Sequence, residues 1–300
     1  MTSTQYRNFV AVAECRSITG AARELHIAQP ALSAQIKRIE EEYGAALLVR
    51  YPRYVELTDA GHAFYQAAKT ILQIEENTSI EIANLSSNEG GMLRLGITPF
   101  MPDLSFRRTL QAYYERYPDV FVTLYEEKLG DILAKLETGV VEVAIVTSPK
   151  ELPHGFEAVA AIDNHLYACR PVGSPYFSGK QEGDVVEIAE LKGIPISGPW
   201  GLYRYIKGCC HKAGFDPIWK ALSNSRHATL QMAEQGNMLA VLVLPDDVVE
   251  TTGMTCHRIV GKDLAIKKYF VVLHDRTLST AAQNFVDLLG TIPPFTQPHS

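Results

Sequence analysis

No uninterrupted apolar run in the 300 residues approaches the ~18 needed to span a membrane, so no membrane partner is expected. The opening Met1-Thr2-Ser3-Thr4-Gln5-Tyr6-Arg7 lacks the basic start and apolar stretch of an export signal, which points to a cytoplasmic protein. Cysteine is scarce. Cys15, Cys169, Cys209, Cys210 and Cys256 are an odd count without a CxxC pair, so neither a disulfide framework nor a zinc ribbon is indicated and reduced thiols are expected. The nine histidines are scattered without an HExxH pair, and no metal site is expected. GxSxG, Walker A and GxGxxG are all missing, which argues against catalysis and against a cofactor. Positive charge is not in excess: 28 Lys and Arg stand against 34 Asp and Glu, a formal net charge of -6. A protein that coats nucleic acid through a uniformly basic surface is thereby excluded, but a local DNA-binding module is not.

What remains is ordinary globular material, 46% hydrophobic and 21% charged, long enough for two or three domains. Tyr6, Phe9, Val10 and Ala13 give a first helix one apolar face. Ser17 offers a cap for a second helix with Ile18, Ala21, Ala22 and Leu25 inward. After the turn His26-Ile27-Ala28, a third helix starts at Gln29-Pro30, faces inward through Leu32, Ile36, Ile39 and Tyr43, and stops at Gly44. Leu47-Leu48-Val49 and Tyr54-Val55-Glu56-Leu57 read as a hairpin around Arg50-Tyr51-Pro52-Arg53. Thr58-Asp59 caps a long helix whose stripe Phe64, Ala68, Ile71, Ile74, Ile82 and Leu85 needs a partner surface. The polar run Ser86-Ser87-Asn88-Glu89-Gly90-Gly91 is the expected hinge.

Beyond it, strand and helix alternate as βαβαβ from Met92 to Val146, the pattern of a parallel sheet with right-handed crossovers. Leu166–Cys169, Ile194–Ser197, Leu202–Ala213, Ala228–Gln235 and Leu239–Leu244 suggest a second α/β lobe, with Tyr269–Leu273 and Ala281–Leu289 returning to the first. The expected fold is therefore α+β and multidomain. It comprises a winged helix-turn-helix over 1–58, a linker helix and hinge over 59–90, and a two-lobed α/β domain over 91–300. Its first lobe takes about 91–161 and 268–300, and its second about 162–267. The tail from Pro293 to Ser300 is expected to fray.

Residues 6 to 65 carry Phe9-Val10-Ala11-Val12-Ala13-Glu14, Ser17-Ile18-Thr19-Gly20-Ala21-Ala22, Leu25-His26-Ile27-Ala28-Gln29-Pro30-Ala31-Leu32-Ser33 and Leu57-Thr58-Asp59-Ala60-Gly61. In order and spacing this closely resembles the DNA-binding domain of LysR-type transcriptional regulators. The resemblance continues more thinly through Leu93-Arg94-Leu95-Gly96-Ile97, Tyr117-Pro118, Ala144-Ile145-Val146 and Val243-Leu244-Pro245. Gln29, Pro30, Ser33 and Lys37 lie opposite the apolar face of the third helix, free to meet a major groove. Gln29 suits adenine, Pro30 a thymine methyl, Ser33 a base or phosphate, and Lys37 or Arg38 a phosphate. Arg50 and Arg53 flank the wing and suit a minor groove. The family resemblance implies the same reading positions, with two departures: relatives often have Ser where Ala28 stands and Arg where Ala34 stands. It also implies pairing of the long helix through Phe64, Ala68 and Ile71, a homodimer or homotetramer, and work alongside RNA polymerase.

The C-terminal half resembles periplasmic binding proteins, whose ligand sits between lobes. Thr98-Pro99-Phe100 and Thr147-Ser148 follow strands, and Ser197-Gly198-Pro199-Trp200 precedes the helix of Tyr203. Hydroxyls near helix N-termini favour an anion, and the aromatics could cover an apolar body, so a small carboxylate is the expected effector. Where relatives often have a ligand-contacting Ser or Thr this chain has Lys128-Leu129, which makes Lys128 a candidate counter-charge. A thiol-based redox response is the alternative suggested by Cys209-Cys210, although neighbours on a helix point about 100° apart and a direct disulfide between them is disfavoured. A transport-type binding protein would leave the DNA-binding head unexplained, and an architectural DNA-binding protein the cleft.

Overall fold

The computed structural model describes residues 1–86, 91–99, 104–171, 173–181, 183–244, 254–262 and 264–291. Most of the expected hinge (87–90), Phe100 and the tail from 292 lie outside the described residues. Two compact units are formed, Met1–Ala83 and Asn84–Ser300.

In the first unit, α1 (Ser3–Cys15) starts at a reciprocal cap between Thr2 and Gln5. The Ser17 hydroxyl accepts from the Gly20 N–H (3.1 Å) at the start of α2 (Ile18–Glu24). Ala28 leaves α3 (Gln29–Tyr43) without a side-chain cap, and Gly44 ends it with the left-handed φ of 64° that a side chain would resist. The hairpin β1 (Leu48–Arg50) and β2 (Val55–Leu57) follows, then α4 (Asp59–Ser86). Thr58 joins hairpin to helix: its hydroxyl donates to the Ala46 carbonyl (2.7 Å) and accepts from the Gly61 N–H (2.9 Å). A Cβ at Gly61 would collide with the Leu47 carbonyl, so only glycine lets this turn of α4 lie against the hairpin. Phe9, Val12, Leu32, Ile36 and Ile39 are fully buried beneath these elements, each apolar side chain contributing ~1.5–3 kcal/mol by leaving water.

The stripe expected to pair two subunits is divided. Phe64 lies inside the head, with its ring 4.7 Å from Phe9 and 5.1 Å from Tyr43, and Ala68 is fully buried in the same core. They are not a dimer surface, because the first turns of α4 serve as the fourth helix of the head. Ile71, Ile74 and Ile82, farther along, remain exposed.

The second unit opens with β3 (Met92–Ile97), α5 (Leu104–Arg116), β4 (Phe121–Glu126), α6 (Leu129–Thr138) and β5 (Val143–Ser148), with β3 parallel to both β4 and β5. Next comes β6 (Phe156–Arg170), far longer than the short strand expected from the sequence. Its first part pairs with β12 and its last part with β10 and β11, so one strand runs through both lobes. The second lobe holds β7 (Val186–Glu187), β8 (Pro195–Pro199), α7 (Tyr203–Lys212), β9 (Ile218–Ser223), α8 (Arg226–Gly236), β10 (Leu239–Leu244) and β11 (Thr255–Val260). The chain then returns through β12 (Ile266–Leu273), antiparallel to β5, and α9 (Thr280–Leu289). Apolar clusters fill both faces of the sheet in each lobe.

The expectation of reduced thiols is corrected at one pair. Cys169 of β6 and Cys256 of β11 stand opposite each other in the ladder and are joined by a disulfide. Cys209 and Cys210 are buried and not joined in a disulfide, and burial pushes the Cys210 thiol up to about 11.

Candidate functional site

On the head, α3 turns Leu32, Ile36 and Ile39 inward and leaves Gln29, Pro30, Ala34, Lys37 and Arg38 exposed, with Ser33 half-buried at the edge. Arg50 ties the hairpin to this helix: it donates to the Ser33 hydroxyl and meets the Glu40 carboxylate, each at 3.4 Å. The other oxygen of Glu40 accepts the N–H groups of Leu47 and Leu48 (2.9 and 3.1 Å), so the acid anchors the hairpin. Lys37 pairs loosely with Glu41 one turn on, whereas Arg38 and Arg53 are exposed without an ion pair among the described residues.

A further positioning residue, Arg16, was not suggested by the sequence. It ends α1 in a left-handed conformation, which aims its carbonyl at the Val55 N–H (2.9 Å). Its guanidinium pairs with Glu56 (2.9 Å) and lies over the Tyr54 ring, which stacks on Tyr51. Helix and wing thus share a fixed frame, with exposed cations and tyrosines along one edge. This frame suits a polyanion with grooves, because phosphate contacts set register while exposed polar side chains reach base edges.

In the second unit a cavity of about 500 Å³ opens between the two lobes. Thr98, Pro99, Lys128 and Thr147 reach it from the first lobe, and Trp200 from the second. Thr98 is nearly buried; its N–H donates to the Ile145 carbonyl and its hydroxyl accepts from the Thr147 N–H (3.3 Å). Lys128 stands just before α6, its carbonyl accepting the Ile132 N–H. Trp200 is 58% exposed, a ring at the cavity wall rather than a core side chain.

Three of the expected residues are not among the lining ones. Ser197 is fully buried and its hydroxyl lies within 3.2 Å of the Thr229 carbonyl and 3.4 Å of the Leu239 carbonyl, so it bonds β8 to its neighbours instead of facing a ligand. The Ser148 hydroxyl accepts from the Lys150 N–H in the turn after β5. Tyr203 lies behind Trp200, its ring 5.3 Å from Trp219.

Sequence reasoning missed Asn164, Asn224 and Arg226. Asn164 sits on β6 just before the strand changes partners; it is 3% exposed, and its Oδ1 is buried without a hydrogen-bond partner among the described residues. Arg226 is the first residue of α8, behind the Ser225 cap, and burial lowers its pKa. Its signal was present, since Ser225-Arg226 opens a helix just after a strand. Such a chamber, with apolar walls and a few convergent polar groups, is built for a small molecule.

The two parts of the chain match two family descriptions: residues 3–62 match the bacterial regulatory helix-turn-helix protein of the lysR family, and residues 86–292 match the LysR substrate binding domain. The transcriptional regulator BudR of Raoultella terrigena is 30% identical over 235 residues, covering 77% of this chain and 80% of that one. The uncharacterised regulator YnfL of Escherichia coli K12 is 28% identical over 293 residues, covering 95% and 97%. The solved structure of full-length CbnR complexed with its target DNA shares the fold, with a TM-score of 0.75 at 23% identity over 96% of this chain and 98% of that one.

Proposed function

Because the chain belongs to the LysR family of bacterial transcriptional regulators, we propose that its head reads operator DNA through α3 and the wing, and that its inter-lobe cavity takes a small anionic effector. The observation that carries the reading is a cavity of about 500 Å³ walled from both lobes, in a chain that also bears a helix-turn-helix. A ligand touching both lobes has different affinities for different lobe arrangements, which is the requirement for regulation. Gln29, Pro30, Ser33 and Ala34 face bases, and Lys37, Arg38, Arg50 and Arg53 face phosphates or the minor groove.

The protein works in the cytoplasm beside RNA polymerase, without catalytic activity, as a homodimer or homotetramer. With Phe64 and Ala68 spent on the head, Ile71, Ile74 and Ile82 are the pairing surface. The test is calorimetry against a panel of small carboxylic acids, followed by operator binding with each hit. Thr98→Val abolishes the response and leaves effector-free DNA binding near normal; hits that bind Thr98→Val equally well count against the reading.

A redox response is the second reading, and the Cys169–Cys256 bond favours it over a role for Cys209 and Cys210. Disulfides in cytosolic proteins are chiefly transient and redox-linked. Operator binding that is unchanged by a dithiol reductant removes this reading.

A further inference from the structure

Resting on the effector reading above, we propose that the cavity selects a small dianion, one anionic group held by Lys128 from the first lobe and the other by Arg226 from the second. Both side chains line the same chamber, each at the N-terminal end of a helix, α6 for Lys128 and α8 for Arg226. Among the described lining residues none is Asp or Glu. Two cations lining one chamber raise its potential, and a ligand with two negative charges lowers it more than one with a single charge.

Burial supports the assignment. It lowers the Arg226 pKa, the signature of a cation partly stripped of water, where charge-assisted hydrogen bonds to an anion are strong. Lys128 is exposed and flexible, so it follows a ligand over a range of lengths. Helix N-termini add donors of the same electrical sign at both ends.

The third feature is Asn164, which lines the same chamber at the point where the strand running through both lobes passes from one lobe to the other. Its buried, unpartnered Oδ1 calls for a donor from the occupant. The ligand class is therefore a dicarboxylate, or another dianion of similar size, with a hydroxyl or comparable donor between its charged ends. Such a ligand bridges the lobes through charge, so removing either cation weakens its hold on one lobe only.

The experiment uses the full chain and reads binding by calorimetry and by tryptophan fluorescence, since Trp200 at the wall and Trp219 beside Tyr203 are the two tryptophans of the sequence. The probes are butanoate, succinate and malate, with benzoate and phthalate as a rigid pair. Succinate and phthalate are expected to bind at least ~10-fold tighter than their singly charged partners, and malate tighter than succinate, the preferences shrinking as salt rises. Lys128→Gln and Arg226→Gln each bring the preference for the dianion close to unity, Arg226→Lys retains most of it, and Asn164→Leu removes the preference for malate over succinate. If Arg226→Gln unfolds, Lys128→Gln alone decides the matter. Monoanions that bind as tightly as dianions, in a manner still lost in Thr98→Val, overturn the dianion proposal and leave the effector reading standing. If none of the acids binds, or if binding is indifferent to Thr98→Val, the effector reading falls and the proposal with it.

Discussion

The surface proposed to meet DNA is carried by one helix, Gln29–Tyr43, and the hairpin that follows it, whereas the cavity draws Thr98, Lys128, Thr147, Asn164, Trp200 and Arg226 from segments spread over most of the second unit. Local construction makes the head's reading residues separable: each exposed side chain of α3 projects from a core that does not need it. The cavity is a by-product of strand order, and its walls hold only while distant contacts hold. One such contact is the network of Arg94, Glu142 and Ser279. Glu142 is 4% exposed, pairs with Arg94 at 3.1 Å and accepts from both the N–H and the hydroxyl of Ser279, the cap of α9. It fastens the returning C-terminal helix to β3 and β5.

The largest effect expected follows from that network. Glu142→Ala removes the carboxylate of Glu142 from a largely buried guanidinium and should cost the second unit ~3–5 kcal/mol, with Glu142→Gln costing less because it still accepts from Ser279. Denaturant unfolding followed at Trp200 and Trp219 measures it; a loss under ~1 kcal/mol would mean that the returning helix is held mainly by its apolar face. Lys268 comes next. It is fully buried in β12, and burial holds its ammonium at about 7 against the usual 10.5. Between those values the unfolded chain binds the proton and the folded chain does not, so stability rises with pH through this window and is flat below it. Lys268→Met should remove a rise of ~2–3 kcal/mol between about pH 7 and 9; identical pH profiles for the two proteins would contradict the account.

A third substitution sharpens the contrast between the units. Gly61→Ala forces a methyl against the Leu47 carbonyl and should destabilise the head by ~1–3 kcal/mol or more while leaving unfolding of the second unit unchanged. A shared loss would show that the units unfold together. The smallest effect is confined to one base pair. Gln29→Ala should lose ~1–3 kcal/mol at a single position of each half-site, and Lys37→Ala should weaken all operators alike, in binding to a panel of operator variants.

Legibility from sequence follows the same division. Helix caps, the αL stop at Gly44 and the inward face of α3 depend on residues within a few positions of one another, and the sequence displays them directly. Phe64 and Ala68 show where that logic ends: regular spacing reveals that a helix face is covered, but not whether the head or a second copy covers it. Ser197 fails for a related reason, since two carbonyls supplied by α8 and β10 claim its hydroxyl. Cys169 and Cys256 are 87 residues apart, and only the pairing of β6 with β11 makes them neighbours. That pairing was invisible because β6 serves two lobes and carries no single alternation along its length. Arg226 could have been found, since it follows a capping serine after a strand, the same kind of position that drew attention to Thr98.

The most direct test is reciprocal. If occupation of the cavity regulates the head, linkage requires that operator DNA change the affinity of the effector by the same factor as the effector changes the affinity for operator. Measured by calorimetry with the tightest acid from the panel, the dissociation constant in free protein and in the operator complex should differ by ~5–150-fold, and the difference should vanish in Thr98→Val. An effector affinity identical in free and operator-bound wild-type protein would contradict the account.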